Sequence, residues 1–262
     1  MRADKFFAEK FSSRTKAAEA IEKGLVLING KPVRPKDEIK EGDKIEFLTP
    51  EKSFVSNGGY KLEKGFQDFS YDCSGKIFAD IGASTGGFTD CLLQRGAKKV
   101  YCVDVGESLL HESLLCNDKI ERRENTNARY LEKADFLEAL DGVVTDVSFI
   151  SLRLIFPTIR RILGNDGDGF VLIKPQFECE NKNIGKSGIV RPSAHAQIVQ
   201  SVLKYAADNG LYPFAITNAP VRKGKNIEYV LHVKPTYSNA QSSVQIVEWV
   251  KNFVKEQAKE KI

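Results

Sequence analysis

The stretch Asp80-Ile81-Gly82-Ala83-Ser84-Thr85-Gly86-Gly87-Phe88 decides the fold of this chain. It begins inside an apolar run, residues 77–81, that is typical of a buried strand, and a helical pattern follows at residues 89–95. Glycines at such a junction let the backbone turn sharply and approach a ligand before the helix begins. No Lys-Ser/Thr pair follows the last glycine and the spacing is not GxGxxG, so neither a P-loop nor a dinucleotide fingerprint is present. A glycine-rich turn without chemical importance is the alternative.

Strands and helices alternate on both sides of this loop. The apolar patterns predict strands at residues 77–81, 100–105, 120–123, 143–147, 169–174, 214–217 and 229–233, and helices at 89–95, 109–116, 136–140, 152–163 and 193–209. Such alternation predicts an α/β fold, with a Rossmann-like, mostly parallel sheet and helices on both faces. The last two strands follow each other directly, which favours an antiparallel edge.

Ligands of such sheets bind outside the carboxyl ends of the strands. Asp104 ends the second strand, about twenty residues beyond the glycine loop, where an acid can accept both ribose hydroxyls of a nucleoside. A helix-capping aspartate is the alternative interpretation. The loop and the acid together, without a phosphate-binding lysine, indicate a nucleoside cofactor that lacks a polyphosphate. S-adenosylmethionine is the common cofactor of that kind.

The composition limits the class of protein. The chain has 262 residues, of which 42% are hydrophobic and 28% charged, as is ordinary for a globular protein. No apolar run approaches the roughly 20 residues that span a bilayer, and the charged first residues lack the apolar core of a secretion signal. The five cysteines are scattered singly, which indicates neither a disulfide framework nor a zinc site. We therefore expect a cytoplasmic protein that needs no membrane and no metal.

The first 52 residues have a different character. The pattern predicts two short helices, the second capped by Ser13 and ended by Gly24, and a small curled sheet with a tight turn at Asn29-Gly30. Residues 1–36 carry a net charge of +5, whereas residues 37–51 carry −4. A basic patch confined to so small a unit suits a polyanion such as nucleic acid, and a solvated helix face is the alternative.

Several separated motifs in this segment resemble the RNA-binding domain named after ribosomal protein S4. They are Arg2-Ala3-Asp4-Lys5, Ser13-Arg14-Thr15-Lys16-Ala17, residues 24–31 and Gly42-Asp43-Lys44-Ile45. The resemblance implies that basic residues of the second helix and the following loop touch structured RNA, mainly its phosphates. The matching positions are Arg2, Lys5, Arg14, Lys16 and Lys31.

The glycine loop and its continuation, residues 80–97, resemble the TlyA family, whose members are also called hemolysin A. Four further stretches resemble that family, at residues 125–129, 146–151, 173–178 and 224–229. The resemblance covers nearly the whole chain, to about residue 236. It implies a ribose 2′-O-methyltransferase of ribosomal RNA that uses S-adenosylmethionine and acts on ribosomal RNA or ribosomal subunits, with cytidine as the implied target.

The wider FtsJ-type ribose methyltransferases use a Lys-Asp-Lys-Glu set. Matched motif by motif, this set becomes Lys61, Asp146, Lys174 and Glu228. Lys61 is expected in a loop before the first strand, and Glu228 at the start of the last strand. A ribose hydroxyl must lose a proton as it attacks, so Lys174 is expected to take up that proton or to stabilise the alkoxide. Lys61 adds positive charge, and the two acids orient the lysines and the hydroxyl.

The remaining predicted site residues surround this set. The expected cofactor-binding residues are Asp80, Gly82, Ala83, Ser84, Thr85, Gly86, Gly87, Asp104, Val105, Asn127 and Asp146. A long polar segment, residues 181–192, is expected over the RNA entrance, and a basic loop precedes Glu228. The RNA-binding residues expected in these two segments are Lys182, Lys186, Arg191, Arg222, Lys223 and Lys225.

These patterns divide the chain into segments. Residues 1–52 form the predicted RNA-binding domain, 53–58 a linker, 59–236 the methyltransferase domain, and 237–262 a polar linker and a final helix. In that helix, residues 243–259, the apolar positions are expected to pack on the body of the protein: Val244, Ile246, Val247, Val250 and Val254.

The chain departs from the family pattern at two places. Asn57 stands where the family usually has arginine, and residues 106–110 lack the aromatic residues that usually follow the second strand. Three other functions stay open. They are an RNA-binding factor without catalysis, a membrane-lytic protein as the hemolysin name suggests, and a methyltransferase acting on small molecules or proteins. Retention of all four charged positions argues against the first, the absence of an inserting segment against the second, and the basic N-terminal segment against the third.

Overall fold

In the computed structural model, the described residues are 1–11, 13–22, 24–47, 53–237 and 240–259. They form two compact units, Met1–Ser53 and Phe54–Ile262. The predicted linker, residues 53–58, falls partly on residue 53 of the first unit. Its other residues belong to the second unit, in which Phe54 is buried.

The first unit contains two short helices and three short strands. They are α1 (Ala3–Phe6), α2 (Arg14–Glu22), β1 (Val26–Ile28), β2 (Lys31–Pro32) and β3 (Ile45–Phe47). The strands form an antiparallel sheet in the order β2-β1-β3. The side-chain oxygen of Ser13 accepts from the amide of Lys16 at 3.1 Å, as its predicted capping role requires. Gly24, Asn29 and Gly30 all have positive φ, so the predicted helix end and hairpin turn are confirmed.

The second unit is built on a seven-stranded sheet. Its strands are β4 (Ile77–Ile81), β5 (Lys99–Val103), β6 (Ile120–Arg123), β7 (Gly142–Thr145), β8 (Asp168–Ile173), β9 (Tyr212–Asn218) and β10 (Tyr229–Lys234). The order is β6-β5-β4-β7-β8-β10-β9, with β10 antiparallel to both neighbours. The predicted parallel sheet with an antiparallel edge is confirmed. The strand order reverses between β4 and β7, which is where ligands bind in open sheets of this kind.

Helices cover both faces of this sheet. They are α3 (Asn57–Asp68), α4 (Gly87–Gln94), α5 (Phe156–Ile162), α6 (Pro175–Glu178), α7 (His195–Asp208) and α8 (Ser243–Lys259). Alternate strand residues enter opposite cores: Val171 and Ile173 pack with α5, α7 and α8, whereas Phe170 and Leu172 pack with α3 and α4. The strands β4, β5, β7, β8 and β10 are buried on both sides, which explains their continuous apolar runs, whereas the edge strands β6 and β9 are only partly buried.

Two predicted helices are wrong. Residues 109–116 contain only a 3-10 turn at Glu112–Leu114, and residues 136–140 contain no helix. Phe136 and Leu140 have the spacing of a helix face and are both buried, but they reach the core from an irregular segment in which Leu137 is exposed. Spacing and intrinsic propensity are weak signals over so few residues, and tertiary packing decides the backbone conformation there.

The final helix begins and ends where the sequence predicts. Ile246, Val250 and Val254 are buried against the body of the second unit, and Val247 packs at the edge of the same core. Val244 was expected to pack as well, but it is 77% exposed. It lies two residues before the buried Ile246, on the opposite face of the helix.

Candidate active site

The glycine loop at the end of β4 is shaped by three glycines. Gly82 and Gly86 have φ of 79° and 87°, a region that other L residues seldom adopt. A Cβ at Gly82 would lie 3.0 Å from Val147 Cγ1, and one at Gly86 would lie 2.5 Å from Leu114 Cδ1. Side chains at these positions would therefore fill the space between the loop and its neighbours.

The third glycine lets two helices meet. A Cβ at Gly87 would collide with Ser56 Oγ and lie 3.0 Å from the amide nitrogen of Gly59. Gly59 in turn leaves room for Phe54. The absent side chain of Gly87, the first residue of α4, allows the ends of α3 and α4 to pack directly. α3 begins at Asn57, and Lys61 lies on this helix. The expectation that Lys61 occupies a loop is wrong, because Gly58 and Gly59 lie inside the helix, where the missing side chain of Gly59 leaves room for Phe54.

Asp80 is a buried carboxylate below this loop. Its Oδ2 accepts from the amide of Thr89 at 3.0 Å and from the Thr89 hydroxyl at 2.7 Å. Its Oδ1 has no hydrogen-bond partner among the described residues. Burial raises the pKa of Asp80 to about 7, although the bonds from Thr89 oppose that shift. A buried acceptor without a donor favours a ligand that brings one.

Asp104 braces the loop from the neighbouring strand. Its Oδ2 accepts from the amide of Ser84 at 2.8 Å, and its Oδ1 from the amide of Gly106 at 2.9 Å. The carboxylate is thus fixed by two backbone donors on its own protein. Each oxygen keeps further acceptor capacity for a ribose hydroxyl.

Two cavities adjoin this loop. The smaller, about 150 Å³, is lined by Asp80, Lys174 and the loop residues. The larger, about 650 Å³, has polar Asp104 and Asn127 at its wall and an apolar rim. Gly82, Ser84, Asp146 and Ser148 line both cavities. All the predicted cofactor-binding residues except Gly86 line one or both of them: Asp80, Gly82, Ala83, Ser84, Thr85, Gly87, Asp104, Val105, Asn127 and Asp146.

The pair of cavities fits S-adenosylmethionine. The larger one offers exposed apolar side chains, Val105, Leu109 and Phe149, to an adenine ring. Asp104 at its wall offers carboxylate oxygens that can accept from ribose hydroxyls. The smaller one is lined by Asp80, whose Oδ1 has no partner among the described residues and can accept from an ammonium group. Gly86 lines neither cavity, and its positive φ lets the loop turn into α4.

The four residues of the predicted catalytic set form one chain of ion pairs. Lys174 Nζ lies 2.6 Å from Asp146 Oδ1, and Lys61 Nζ lies 3.4 Å from Asp146 Oδ2. Lys61 Nζ also lies 2.8 Å from Glu228 Oε2. The four come from α3, the end of β7, the end of β8 and the residue before β10. Two lysines and two acids leave this cluster formally neutral, so each charge has a partner.

Lys174 is the most buried member of the set. It is 8% exposed, and its Nζ also donates to Ser148 Oγ at 2.7 Å and to the Asp146 carbonyl at 3.3 Å. Three oxygens therefore hold the ammonium group at the wall of the smaller cavity. An ammonium fixed in this way can stabilise negative charge that develops beside it without rearranging first.

A third cavity, about 320 Å³, lies on the other side of the set. It is lined by Asn57, Lys61, Gln176, Pro220, Arg222, Lys225, Asn226 and Glu228. Lys61 and Glu228 therefore face this cavity, whereas Lys174 and Asp146 face the cofactor cavities. The ion-pair chain stands between two spaces, one suited to a cofactor and one with basic residues at its rim.

The two basic segments of the second unit meet beside this third cavity. The Asn226 side chain accepts from the amide of Val190 at 2.8 Å and donates to the Gly188 carbonyl at 3.0 Å. This one residue ties the 181–192 segment to the loop before β10. Arg222 donates to Asn57 Oδ1, so the residue that replaces the family arginine contacts this loop. Lys182, Lys186, Arg191, Lys223 and Lys225 are exposed.

The predicted RNA-binding residues of the first unit are all exposed, but two of them have a shared partner. Lys5, Lys16 and Lys31 extend from its surface. Arg2 and Arg14 both donate to the carboxylate of Asp4. The two arginines are thereby brought together, whereas the lysines are not.

Comparison with known proteins identifies the family. The FtsJ-like methyltransferase model matches residues 54–235, and the S4 domain model matches residues 1–45. The chain belongs to the FtsJ-like methyltransferase family. These enzymes take their methyl group from S-adenosylmethionine, so the predicted fold and cofactor are confirmed, and the N-terminal S4 domain indicates an RNA substrate.

Individual relatives match over most of their length. TlyA of Mycobacterium tuberculosis, a 16S/23S rRNA (cytidine-2′-O)-methyltransferase, is 34% identical over 93% of this chain and 92% of its own. Hemolysin A of Brachyspira hyodysenteriae is 42% identical over 84% of this chain and 93% of its own. A solved structure from Streptococcus thermophilus that carries the hemolysin name is 36% identical. It covers 100% of this chain and 98% of its own, with a TM-score of 0.75.

Sequence reasoning on this methyltransferase missed several residues around the set. Glu178 accepts from Ser151 Oγ and from the amide of Leu152, both at 2.7 Å, and so fixes the segment after Asp146. Burial raises the pKa of Glu178. The stretch at residues 173–178 resembles the family, but its acid Glu178 contacts the 3-10 turn at residues 151–154 and lines none of the three cavities. Only the fold reveals that contact, as it does the tie made by Asn226.

Proposed function

We propose that this chain transfers the methyl group of S-adenosylmethionine to the 2′-hydroxyl of a cytidine ribose in ribosomal RNA. One observation carries the proposal. The ion-pair chain of Lys61, Asp146, Lys174 and Glu228 separates the cofactor cavities from a cavity with a basic rim. A methyl donor on one side and a ribose on the other would meet at these charges.

The residues of the set have separate tasks in this proposal. The bound cofactor supplies an electrophilic methyl group on a sulfonium. Lys174 can act in either of two ways: as a neutral amine it takes up the hydroxyl proton, and as the ammonium held by Asp146 and Ser148 it stabilises the negative charge that grows on the 2′-oxygen. Asp146 holds both lysines, and Glu228 holds Lys61 toward the third cavity. Fixing the partners in line can contribute up to roughly 7–11 kcal/mol.

RNA would bind to two basic surfaces of the protein. The basic rim formed by the 181–192 segment and the loop before β10 lies beside the third cavity. The exposed basic residues of the first unit would add phosphate contacts, which give affinity and register rather than base reading. A ribosomal subunit, which presents folded RNA, is the substrate that this pair of surfaces suits best. Such a substrate would place the protein in the cytoplasm.

Methyl transfer to ribosomal subunits tests the proposal. Subunits from cells that lack this protein would be incubated with methyl-labelled cofactor, and the RNA digested to nucleosides and analysed by mass spectrometry. The expected result is label in 2′-O-methylcytidine. Label only in base-methylated nucleosides would refute the ribose assignment, and label in a different 2′-O-methylnucleoside would refute cytidine.

The hemolysin name of some relatives suggests membrane lysis as the second candidate. None of the described helices is long and apolar enough to cross a bilayer. Membrane lysis would be favoured if the purified protein caused dye to leak from liposomes and a variant that still binds the cofactor did not. We expect no leakage.

A further inference from the structure

Two arginines of the first unit converge on one carboxylate. Arg2 donates from Nε to Asp4 Oδ1 at 3.2 Å and from Nη2 to Oδ2 at 2.8 Å. Arg14 donates from Nε and from Nη2 to the same Oδ2, each at 3.0 Å. Asp4 is 5% exposed, whereas the arginine side chains are about half exposed. One buried acid thus holds two guanidinium groups at the surface.

The position of Asp4 is fixed independently of its partners. It lies in α1, and its amide donates to the Pro35 carbonyl at 3.0 Å. Arg14 is the first residue of α2. The hydrogen bonds from Arg2, with those from Arg14, hold the pKa of Asp4 below its usual value, so the acid stays charged at neutral pH. The carboxylate is therefore a fixed anchor for two long side chains.

The paired arginines keep unused donors. The bonds to Asp4 occupy Nε and Nη2 of each guanidinium, and no group in the described part of the chain accepts from either Nη1. Two positive charges and one negative charge leave one net positive charge. Planar donors held side by side, with one excess charge, match the oxygens of a single phosphate.

We propose that Asp4 is the positioning residue of a composite phosphate site, in which Arg2 and Arg14, two of the RNA-binding residues that the S4 resemblance implies, together bind one phosphate of the RNA backbone. The inference rests on the proposed RNA methyltransferase function. Asp4 does not touch the RNA, and it acts by ordering the two arginines before binding. Ordering them in advance removes an entropy cost that binding would otherwise meet.

For the loss of the Asp4 charge, the positioning role and simple charge counting predict opposite changes in RNA affinity. Removing an acid from a basic surface should strengthen the binding of a polyanion. The positioning role predicts that Asp4→Asn weakens binding roughly tenfold, because both guanidinium groups lose their anchor. Glu19→Gln is the matched control. It removes the same charge from an exposed position on α2 and should leave affinity unchanged or slightly tighter.

Ribosomal subunits from cells that lack the protein are the binding probe, and a double-mutant cycle distinguishes positioning from mere stability. Asp4→Asn is compared in the wild type and in the Arg2→Gln, Arg14→Gln background. We expect the tenfold loss in the first and no further loss in the second. An equal loss in both backgrounds would mean that Asp4 supports the fold alone, and would overturn the inference.

The salt dependence of RNA binding measures how many phosphates the two arginines contact. If the pair serves one phosphate, Arg2→Gln with Arg14→Gln should lower the slope of log affinity against log salt by about 0.7–0.9. A decrease of about twice that size would mean two separate contacts and would refute the composite site. Should the wild type neither bind nor methylate subunits, the proposed function and this site fail together. Should it do both while Asp4→Asn binds like Glu19→Gln, only this site fails.

Discussion

Asp80 combines complete burial with an unused acceptor. Thr89 donates to one of its oxygens, and the other has no partner among the described residues, although Asp80 lines the smaller cavity. Its raised pKa, about 7, comes from burial. A cationic group in the cavity would lower this pKa again and so favour the ionised carboxylate.

Cofactor affinity should therefore depend on pH near neutrality. A carboxyl with a pKa of about 7 is roughly one-tenth ionised at pH 6 and nine-tenths ionised at pH 8, and only the ionised form attracts an ammonium group. We expect S-adenosylmethionine to bind about tenfold more tightly at pH 8 than at pH 6. Calorimetric titration at both values measures this. Asp80→Asn should bind weakly at both, and a variant that keeps the full pH dependence would contradict the assignment.

At the element scale, α3 and α4 form the junction on which the set depends. The two helix ends pack directly because Gly87 lacks a side chain, and Gly59 leaves room for Phe54 at the start of α3. This contact places Lys61, one turn into α3, beside Asp146 and Glu228. The catalytic geometry is thus linked to a packing contact outside the cavity.

Gly87→Ala should disturb both stability and catalysis. The added methyl group has to displace Ser56 and the start of α3, which typically costs about 1–3 kcal/mol. We expect a lower free energy of unfolding in urea and a reduced rate of methyl transfer. Gly164→Ala is the control, since a Cβ there meets nothing within 4 Å. Equal stability and rate for both variants would disprove the link.

The tie made by Asn226 is a second feature of elements rather than of single residues. Asn226→Ala removes both bonds between the 181–192 segment and the loop before β10. Faster amide exchange in residues 184–191 and weaker RNA binding, severalfold in size, are expected, with unchanged cofactor affinity. Asn117→Ala, which removes a bond to the amide of Lys119 far along the chain, is the control. Unchanged exchange in that segment would show that other contacts hold it.

Sequence patterns predicted elements well wherever the elements are long or central. The buried strands and α8 are marked by apolar periodicity that no local feature contradicts. Short segments fared worse: Phe136 and Leu140 have helical spacing but belong to an irregular stretch. A pair of glycines usually indicates a turn, so the sequence predicts a loop at Lys61. The glycines lie inside a helix because Gly59 leaves room for Phe54 and the helix end packs on α4, contacts that the local sequence does not show.

Some residues of the candidate site could likewise be predicted from the sequence, and others could not. Glycines, Asp80 and Asp104 could be placed from strand ends alone, because parallel strands bring those ends to one edge. Glu228 and Lys61 could be named only through resemblance, and their ion pair joins residues far apart in sequence. Glu178 and Asn226 lie in stretches that resemble the family, residues 173–178 and 224–229, but the sequence gives neither a role. A side chain that ties two loops looks like any other polar residue before folding.

In the whole molecule, the two units have different roles. The second unit contains the cofactor cavities, the ion-pair chain and its own two-sided core. The first has a small core and a basic surface. Removal of residues 1–52 should leave cofactor affinity unchanged and weaken binding to ribosomal subunits at least tenfold, because phosphate contacts are lost. Binding assays with and without the segment measure this, and unchanged RNA affinity would remove the role assigned to the first unit.

The rate of methyl transfer by Lys174→Met shows whether the ion-pair chain is the catalytic centre. A side chain of similar length without charge leaves the cavity wall filled but removes the ammonium beside Asp146. We predict a loss of about 10²–10⁴-fold in transfer to ribosomal RNA, with cofactor affinity within about threefold. Lys204→Met, on the exposed face of α7, should behave as the wild type. If Lys174→Met and the wild type label RNA equally, the ion-pair chain is not the catalytic centre.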